Sequence, residues 1–433
     1  LKSADPYGTL GYGPPPDSAF SKGSHGTHVA DIAAGNGLGS GTPGVAPEAD
    51  IIFVEVASSD VPWTGPQVVG KSFGDSVQLL EAVQFIFDRA GDRPCVINLS
   101  LGTNGGPHDG SMLVEQGIDS AMSQAANRAV VIAASNSHAD GIHAAGTVAA
   151  GEQHELRWIV PQSDFTHNEM EIWYPQASRL AAELLMPDGR SLGTVPAGEN
   201  GVVNTDHGVA LFVANRLNDP NNGDNVVGIF MERGLPAGGW TVRLHGDPDK
   251  ATPFHAWIER DDASPSQFQA PLDNSHTVGS ISTGNESIVV GSYDAHKASV
   301  PLSFFSSEGP TRDGRQKPEV SAPGHAVLAA HSRTGDGVVR KSGTSMASPA
   351  VTGVIALMLA EAQARGISLD IAQIRGILTR TARQNPPSGA GWDSRYGHGR
   401  VSASAAVAEV MALAAPPAPA GGRRRATRGQ RKK

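Results

Sequence analysis

Cysteine is almost absent: Cys95 is alone in 433 residues. No disulfide can form within the chain, and the redox compartment stays open. Long apolar runs are missing too. None reaches the roughly 18 residues of a bilayer crossing, so no membrane span is expected. Basic excess is lacking, and a formal net charge of −9 argues against a general nucleic-acid binder. Aromatic residues are only 5% of the chain. Glycine (52) and proline (30) are plentiful instead, which predicts many long loops. The sequence opens on Leu1, with no signal-peptide pattern before it, so its start is expected to be processed or missing.

The first 24 residues are Gly/Pro-rich and carry no periodicity. SHGTHVADIAAG (Ser24–Gly35) has a helical pattern. The alternating texture that follows predicts strands at ADIIFVEVA (Ala49–Ala57), CVINLSLG (Cys95–Gly102) and VVIAAS (Val130–Ser135). Helices are predicted at 77–90 and 111–129. Short β-branched runs alternating with helices imply an α/β domain with a mostly parallel sheet covered on both faces. Functional groups gather at the carboxyl ends of such strands, where Ser100 and Asn136 fall.

From about Gly151 to Asp262 the texture becomes short, partly alternating runs separated by Asp-Gly and Asn-Gly turn signals. Four of the six tryptophans lie there (Trp158, Trp173, Trp240, Trp257). An inserted antiparallel β-sandwich is predicted over 151–265, or else a set of elaborated loops. It divides the α/β domain into 1–150 and 266–412, with a last helix near Ile371–Arg383. In the tail, 413–433, seven of the last eleven residues are Lys or Arg. A disordered, solvated segment is expected.

The most informative stretch is KSGTSMASPAVTGVIALMLA (Lys341–Ala360). A Gly-Thr-Ser-Met turn opens a helix that is apolar nearly all round, as in the middle of a core. Pro349 falls near its start, where a missing N–H costs little. Ser345 therefore lies beside unpaired backbone N–H groups and the positive end of the helix dipole. A serine nucleophile needs a base for its proton and donors for the oxyanion that its attack creates. His25 in SHGTHVA can be that base, and Asn136 in VVIAASNS such a donor. His25 and His28 also invite a metal reading, but the HExxH pattern of zinc peptidases is absent.

With the strands between them, these three motifs resemble the subtilisin-like serine proteases. GVAPEADI (Gly44–Ile51), NLSLG (Asn98–Gly102), FSSEGPTRDGRQKPEVSAPG (ending at Gly324) and YGHGRVSASAAV (Tyr396–Val407) match as well. The likeness covers Ser24–Ser137 and about Thr277–Val407. It implies a serine endopeptidase with nucleophile Ser345, general base His25, structural His28 and oxyanion donor Asn136. Ser100, Leu101 and Gly102 would pair with extended substrate, and Ala133 and Ser135 would wall a side-chain pocket. The insert resembles a jelly-roll domain that some bacterial subtilases carry at this place.

Three positions depart from the family. No aspartate in a strand-end motif precedes His25: only Asp5 and Asp17 lie upstream. Asp31, six residues on, points ~240° round the helix. The triad aspartate is therefore expected before Leu1; failing that, the chain is a pseudoprotease that binds peptides. Asp31 stands where glycine is usual, implying looser helix packing or a local partner such as an arginine. Ser135 replaces the glycine that usually precedes the oxyanion asparagine. No cofactor is required. Calcium is conceivable in GNGLGSGTPG (35–44), where Asn36 is the only obvious side-chain ligand. The implied partners are protein or peptide substrates, and the resemblance implies secretion; oligomeric state is left open.

Overall fold

The computed structural model describes residues 25–54, 72–206, 208–261, 264–332, 334–387, 389 and 391–413, without the side chains of 72–75. In chain order, the first elements are α1 (His25–Ala34), α2 (Ser72–Ala90), β1 (Cys95–Leu99), α3 (Leu113–Ser123) and β2 (Arg128–Ala133). The insert follows with β3 (His143–Val148), β4 (Gln153–Val160), β5 (Asn168–Tyr174), β6 (Ala181–Leu185), β7 (Ser191–Val195) and β8 (Asn200–Thr205). It continues through β9 (Gly208–Arg216), β10 (Asn225–Met231), β11 (Gly238–His245), β12 (Thr252–Ile258) and β13 (Gln267–Phe268). The chain closes with β14 (Ile288–Tyr293), β15 (Val320–Pro323), β16 (Val327–Ala330), β17 (Val338–Lys341), α4 (Thr344–Ala364), α5 (Ile371–Arg380) and α6 (Ala403–Ala412).

A four-stranded parallel sheet of order β1-β2-β14-β15 forms the centre. Successive residues of β2 and β14 are buried, so both of their faces are covered, as the β-branched runs predicted. Helix α4 packs across all four strands. Val351, Val354, Ile355, Met358 and Leu359 join the same core as Ile97, Val131, Ile288 and Val320. By length and composition α4 could cross a bilayer, which the sequence reading did not foresee; 67% of its most apolar window is buried inside the protein. Gly353 lets α1 come close: a Cβ there would lie 2.9 Å from the Ala33 carbonyl.

The insert leaves after β2 and returns before β14, two strands that pair directly (Val131 with Ile288). It consists of a six-stranded antiparallel sheet, β3-β12-β5-β10-β9-β8, against a five-stranded one, β13-β4-β11-β6-β7. Trp158, Trp240, Tyr174 and Phe254 share the core between them. Its ladders start at His143, before the expected boundary at 151, and end at Phe268, past 265. Ile142, Trp173, Val226 and Trp257 form a separate apolar cluster. Through it the six-stranded sheet meets the α/β domain, and His108 stacks on Trp257 at 4.1 Å. Arg312 adds a polar clasp, bonding Asp109 at 2.5 Å and the insert's Asp224 at 2.7 Å.

Several expectations are corrected. Ala49–Val54 is not a strand; it has no ladder partner among the described residues and leaves Ile51 57% and Phe53 63% exposed. The rest of that run, and the tail from 414 on, lie outside the described residues. Helix α3 stops at Ser123, short of the predicted 129, because the chain must turn into β2. Asn127 makes that turn at φ 61°, a left-handed conformation that asparagine tolerates. Helix α6 was not expected; it buries Ala406 and Val410 against the core.

Candidate active site

Gly343 precedes α4 at φ 157° and ψ 157°, a conformation essentially restricted to glycine. The turn places Thr344 and Ser345 in the first turn of α4, whose N–H groups have no intrahelical partner. Asn136, just beyond β2, accepts two bonds on Oδ1, from Thr344 N at 2.9 Å and Thr344 Oγ1 at 3.0 Å. This settles which way the carboxamide points and commits its NH₂ to the other side. A Cβ on Gly343 would lie 3.4 Å from Asn136 Nδ2 and 3.6 Å from Ser345 N. The Asn136 carboxamide and the Ser345 backbone nitrogen thus lie close to one point beside Gly343.

A chain of hydroxyls and an amide supports this turn from behind. Asn98 Oδ1 accepts from Ser348 Oγ at 2.7 Å and from Thr352 Oγ1 at 3.1 Å. Asn98 Nδ2 donates to Ser100 Oγ at 2.9 Å, and Ser100 Oγ donates to the Ser345 carbonyl at 3.0 Å. Among the described residues the Ser345 hydroxyl itself makes only a long contact, 3.5 Å, to the Ser100 carbonyl. It is held loosely, on a backbone that is held firmly.

His25 is the first residue of α1. It is solvent-exposed as a residue, yet partial desolvation of its ring, then the positive charge of Lys341, keep its pKa below the ordinary histidine value. Among the described residues the charged groups that act most on it are Lys341, His28 and Arg260, and none is a carboxylate. His28 is fully buried and has one ring nitrogen, Nε2, 3.1 Å from the carbonyls of both Val327 and Val339. It therefore fastens the β16–β17 hairpin to α1. Asp31 does have local partners, but they are not arginines: the Ala330 N–H donates to it at 2.8 Å and Ser40 Oγ at 3.4 Å. In the loop 35–44, Asn36 Oδ1 accepts from Leu38 N at 3.0 Å. Asp5 and Asp17 lie outside the described residues.

Ser135 has φ 87°, which explains why glycine suits this position. Ser135→Gly is expected to stabilise the protein by about 1 kcal/mol or more, checked by its midpoint in urea. Ser100, Leu101 and Gly102 follow β1 and belong to no ladder, so their backbone edge is open. Ala133 is buried, its carbonyl taken by Ser282 Oγ at 2.9 Å. The structure thus brings Asn136, Ser345 and Ser100 together.

The subtilase family model matches residues 7–160 and 261–399, most of the chain. The chain belongs to the subtilase family. The unmatched stretch between the two blocks falls inside the insert. Pyrolysin of Pyrococcus furiosus is 43% identical over 79 residues, 18% of this chain and 6% of that protein. The serine protease AprX of Bacillus subtilis is 32% identical over 102 residues, 20% of this chain and 23% of that protein. The chain therefore spans less than a quarter of these relatives. Among solved structures, the CspB protease of Clostridium perfringens superposes with a TM-score of 0.78 at 25% identity, over 96% of this chain and 85% of that one.

This subtilase has a further set of functional candidates on its insert. Beyond Gly102, the Asn104 and Gly105 N–H groups donate to Glu259 at 2.8 and 2.9 Å. The Gly106 N–H donates to Glu171 at 2.8 Å. The contact is close: a Cβ on Gly105 would lie 2.5 Å from Glu259 Oε2 and would push that carboxylate aside. Burial pushes the Glu171 carboxyl up, opposed by its bonds from Trp173 and Gly106. Two carboxylates of the insert therefore hold the loop that follows the open Ser100–Gly102 edge. No sequence motif marks Glu171 or Glu259, because both lie in strand-like runs far from Gly102. The partners Asn98, Thr344, Ser348 and Thr352 were also missed, although NLSLG and GTSMASP contain three of them.

Proposed function

We propose that this protein is a serine endopeptidase that cleaves peptide bonds through an acyl-enzyme on Ser345. The observation that carries this reading is the carboxamide of Asn136. With its oxygen tied to Thr344, its NH₂ joins the Ser345 N–H at the place where a carbonyl attacked by Ser345 would become an oxyanion. His25 removes the hydroxyl proton and returns it to the leaving amine. Extended substrate pairs with the Ser100–Gly102 edge, with Ala133 and Ser135 at the base of its side-chain pocket. Calcium in the loop 35–44 is not needed for any of these steps. The jelly-roll-like insert stiffens the cleft through Glu171 and Glu259.

The direct test is to treat the purified protein with a fluorophosphonate and map the adduct. Modification of Ser345 together with turnover of a denatured protein substrate supports the proposal; an unlabelled Ser345 overturns it. The cationic surroundings of His25 favour a second reading, a pseudoprotease that binds extended peptide without cutting it. It predicts peptide binding with no adduct and no products.

Two further results are expected. The base must be neutral to act, and the pKa of His25 is lowered, so activity should persist below pH 6.5 before it falls. Lys341→Met removes a charge that lowers this pKa and should move the acidic limb to higher pH; an unmoved limb in the pH–kcat/KM profile contradicts it. Glu259→Ala frees two N–H groups in the substrate loop. It should raise KM by about 10-fold, the effect of losing one or two charge-assisted bonds, while kcat changes less.

A further inference from the structure

At the root of the insert three histidines converge. One ring nitrogen from each of His143, His255 and His276 lies within 4.8 Å of the other two. His143 begins β3, His255 lies in β12, and His276 is in the segment that returns to the α/β domain. His143 is fully buried, the other two half-buried. His143 Nε2 is 3.0 Å from His255 Nδ1.

The bonds around the cluster assign its lone pairs. The Asp273 carboxylate lies 3.1 Å from His143 Nδ1, close enough to pair electrostatically although not aligned as a hydrogen bond, and this favours the proton on Nδ1 and the lone pair on Nε2. Ser275 Oγ donates its only proton to Asp273 at 2.7 Å and lies 2.8 Å from His276 Nδ1. It must accept the proton of His276 Nδ1, so His276 keeps its lone pair on Nε2. A carboxylate behind an imidazole, with the other nitrogen free, is the outer support found around metal-ligating histidines. The nearby cation, Arg312, is already paired with Asp109 and Asp224.

We propose that His143, His255 and His276 form a binding site for a divalent transition-metal ion, zinc by its ligand type, that staples the insert to the protease domain. Three imidazoles and an open fourth position suit zinc at Zn–N distances of about 2.0–2.1 Å. Tetrahedral geometry at that bond length separates ligand nitrogens by about 3.3 Å, so the widest-spaced rings need to close by up to about 1.5 Å. His255 ligates through Nδ1 after moving its proton to Nε2, and no net proton is released. The ligands come from the outgoing leg, an inner strand and the returning leg. Bound metal would therefore cross-link both crossovers between the two folds. This proposal is independent of the peptidase reading.

The test uses the full chain carrying Ser345→Ala, so that self-digestion cannot remove the insert. After chelator treatment and reloading, zinc content is measured by mass spectrometry and affinity by competition with a chromogenic chelator. One zinc per chain is expected, with a rise in Tm on loading, and with a cobalt(II) spectrum typical of four-coordinate nitrogen ligation. His255→Ala and His276→Ala should each abolish binding, while His167→Ala should bind as the parent does. Because ligand variants could fold poorly, Asp273→Asn supplies an independent measure: it keeps all three ligands and should weaken affinity by about 10–100-fold. Less than stoichiometric zinc in the parent protein, or equal zinc affinity in the parent, Asp273→Asn and folded His255→Ala proteins, overturns the proposal.

Discussion

Ser345→Ala should reduce peptide hydrolysis by about 10⁶-fold while leaving the protein folded. The size is that measured when the nucleophilic serine is removed from subtilisin, a member of this family. It follows from the roles proposed: without Oγ no acyl-enzyme forms, and the donors left behind give only weak assistance to water. Stability should hardly change, because the lost hydroxyl makes a single 3.5 Å contact to the Ser100 carbonyl. The Ser100 Oγ bond to the Ser345 carbonyl and the Thr344 bonds to Asn136 are untouched. Peptide affinity should therefore survive, which separates loss of chemistry from loss of structure. Steady-state kinetics, Tm and peptide binding on one preparation check all three. Undiminished cleavage would remove Ser345 from the mechanism altogether.

Asn136→Ala should lower kcat by about 10²–10³-fold with little change in KM. Here too the magnitude was measured in subtilisin, by removal of its oxyanion-hole asparagine. The effect belongs to kcat because the donor acts on charge that exists only in the transition state. This substitution also deprives Thr344 of its acceptor, so part of the loss could come from a displaced helix start. Asn136→Asp separates the two causes. It keeps an oxygen for Thr344 but replaces the NH₂ by an acceptor that repels the oxyanion. If donation is what matters, Asn136→Asp is at least as inactive as Asn136→Ala while retaining the parent Tm. An active Asn136→Asp protein would show that Asn136 serves only to hold the turn.

The lowered pKa of His25 and the tethering of the substrate loop by Glu259 act on different observables, the pH profile and KM. Their variants can therefore be read against these two without ambiguity. Lys341 lies at the end of β17, whose hairpin is fastened to α1 by His28. The charge that tunes the base thus rides on the element that positions the base's own helix.

What the sequence determined by itself was local and periodic. The all-apolar run after Ser345 could only be a core helix, because no polar face remained to meet water. The β-branched runs at Cys95–Gly102 and Val130–Ser135 predicted strands, found at Cys95–Leu99 and Arg128–Ala133, and their carboxyl ends pointed to Ser100 and Asn136. The change of period after Gly151 revealed an insert of another fold class. Ala49–Val54 shows the limit of such evidence. Its composition is that of a strand, but a strand needs a ladder partner and this segment has none among the described residues.

Only the tertiary structure decided which polar groups meet. Asn136 is turned by Thr344 across more than two hundred residues of sequence, and Glu259 reaches Gly105 from a domain inserted between them. The three histidines of the insert root stand at unrelated spacings along the chain and converge because β3, β12 and the returning leg lie side by side. Hydrogen bonds and coordination depend on distance in space, which periodicity along the chain does not encode.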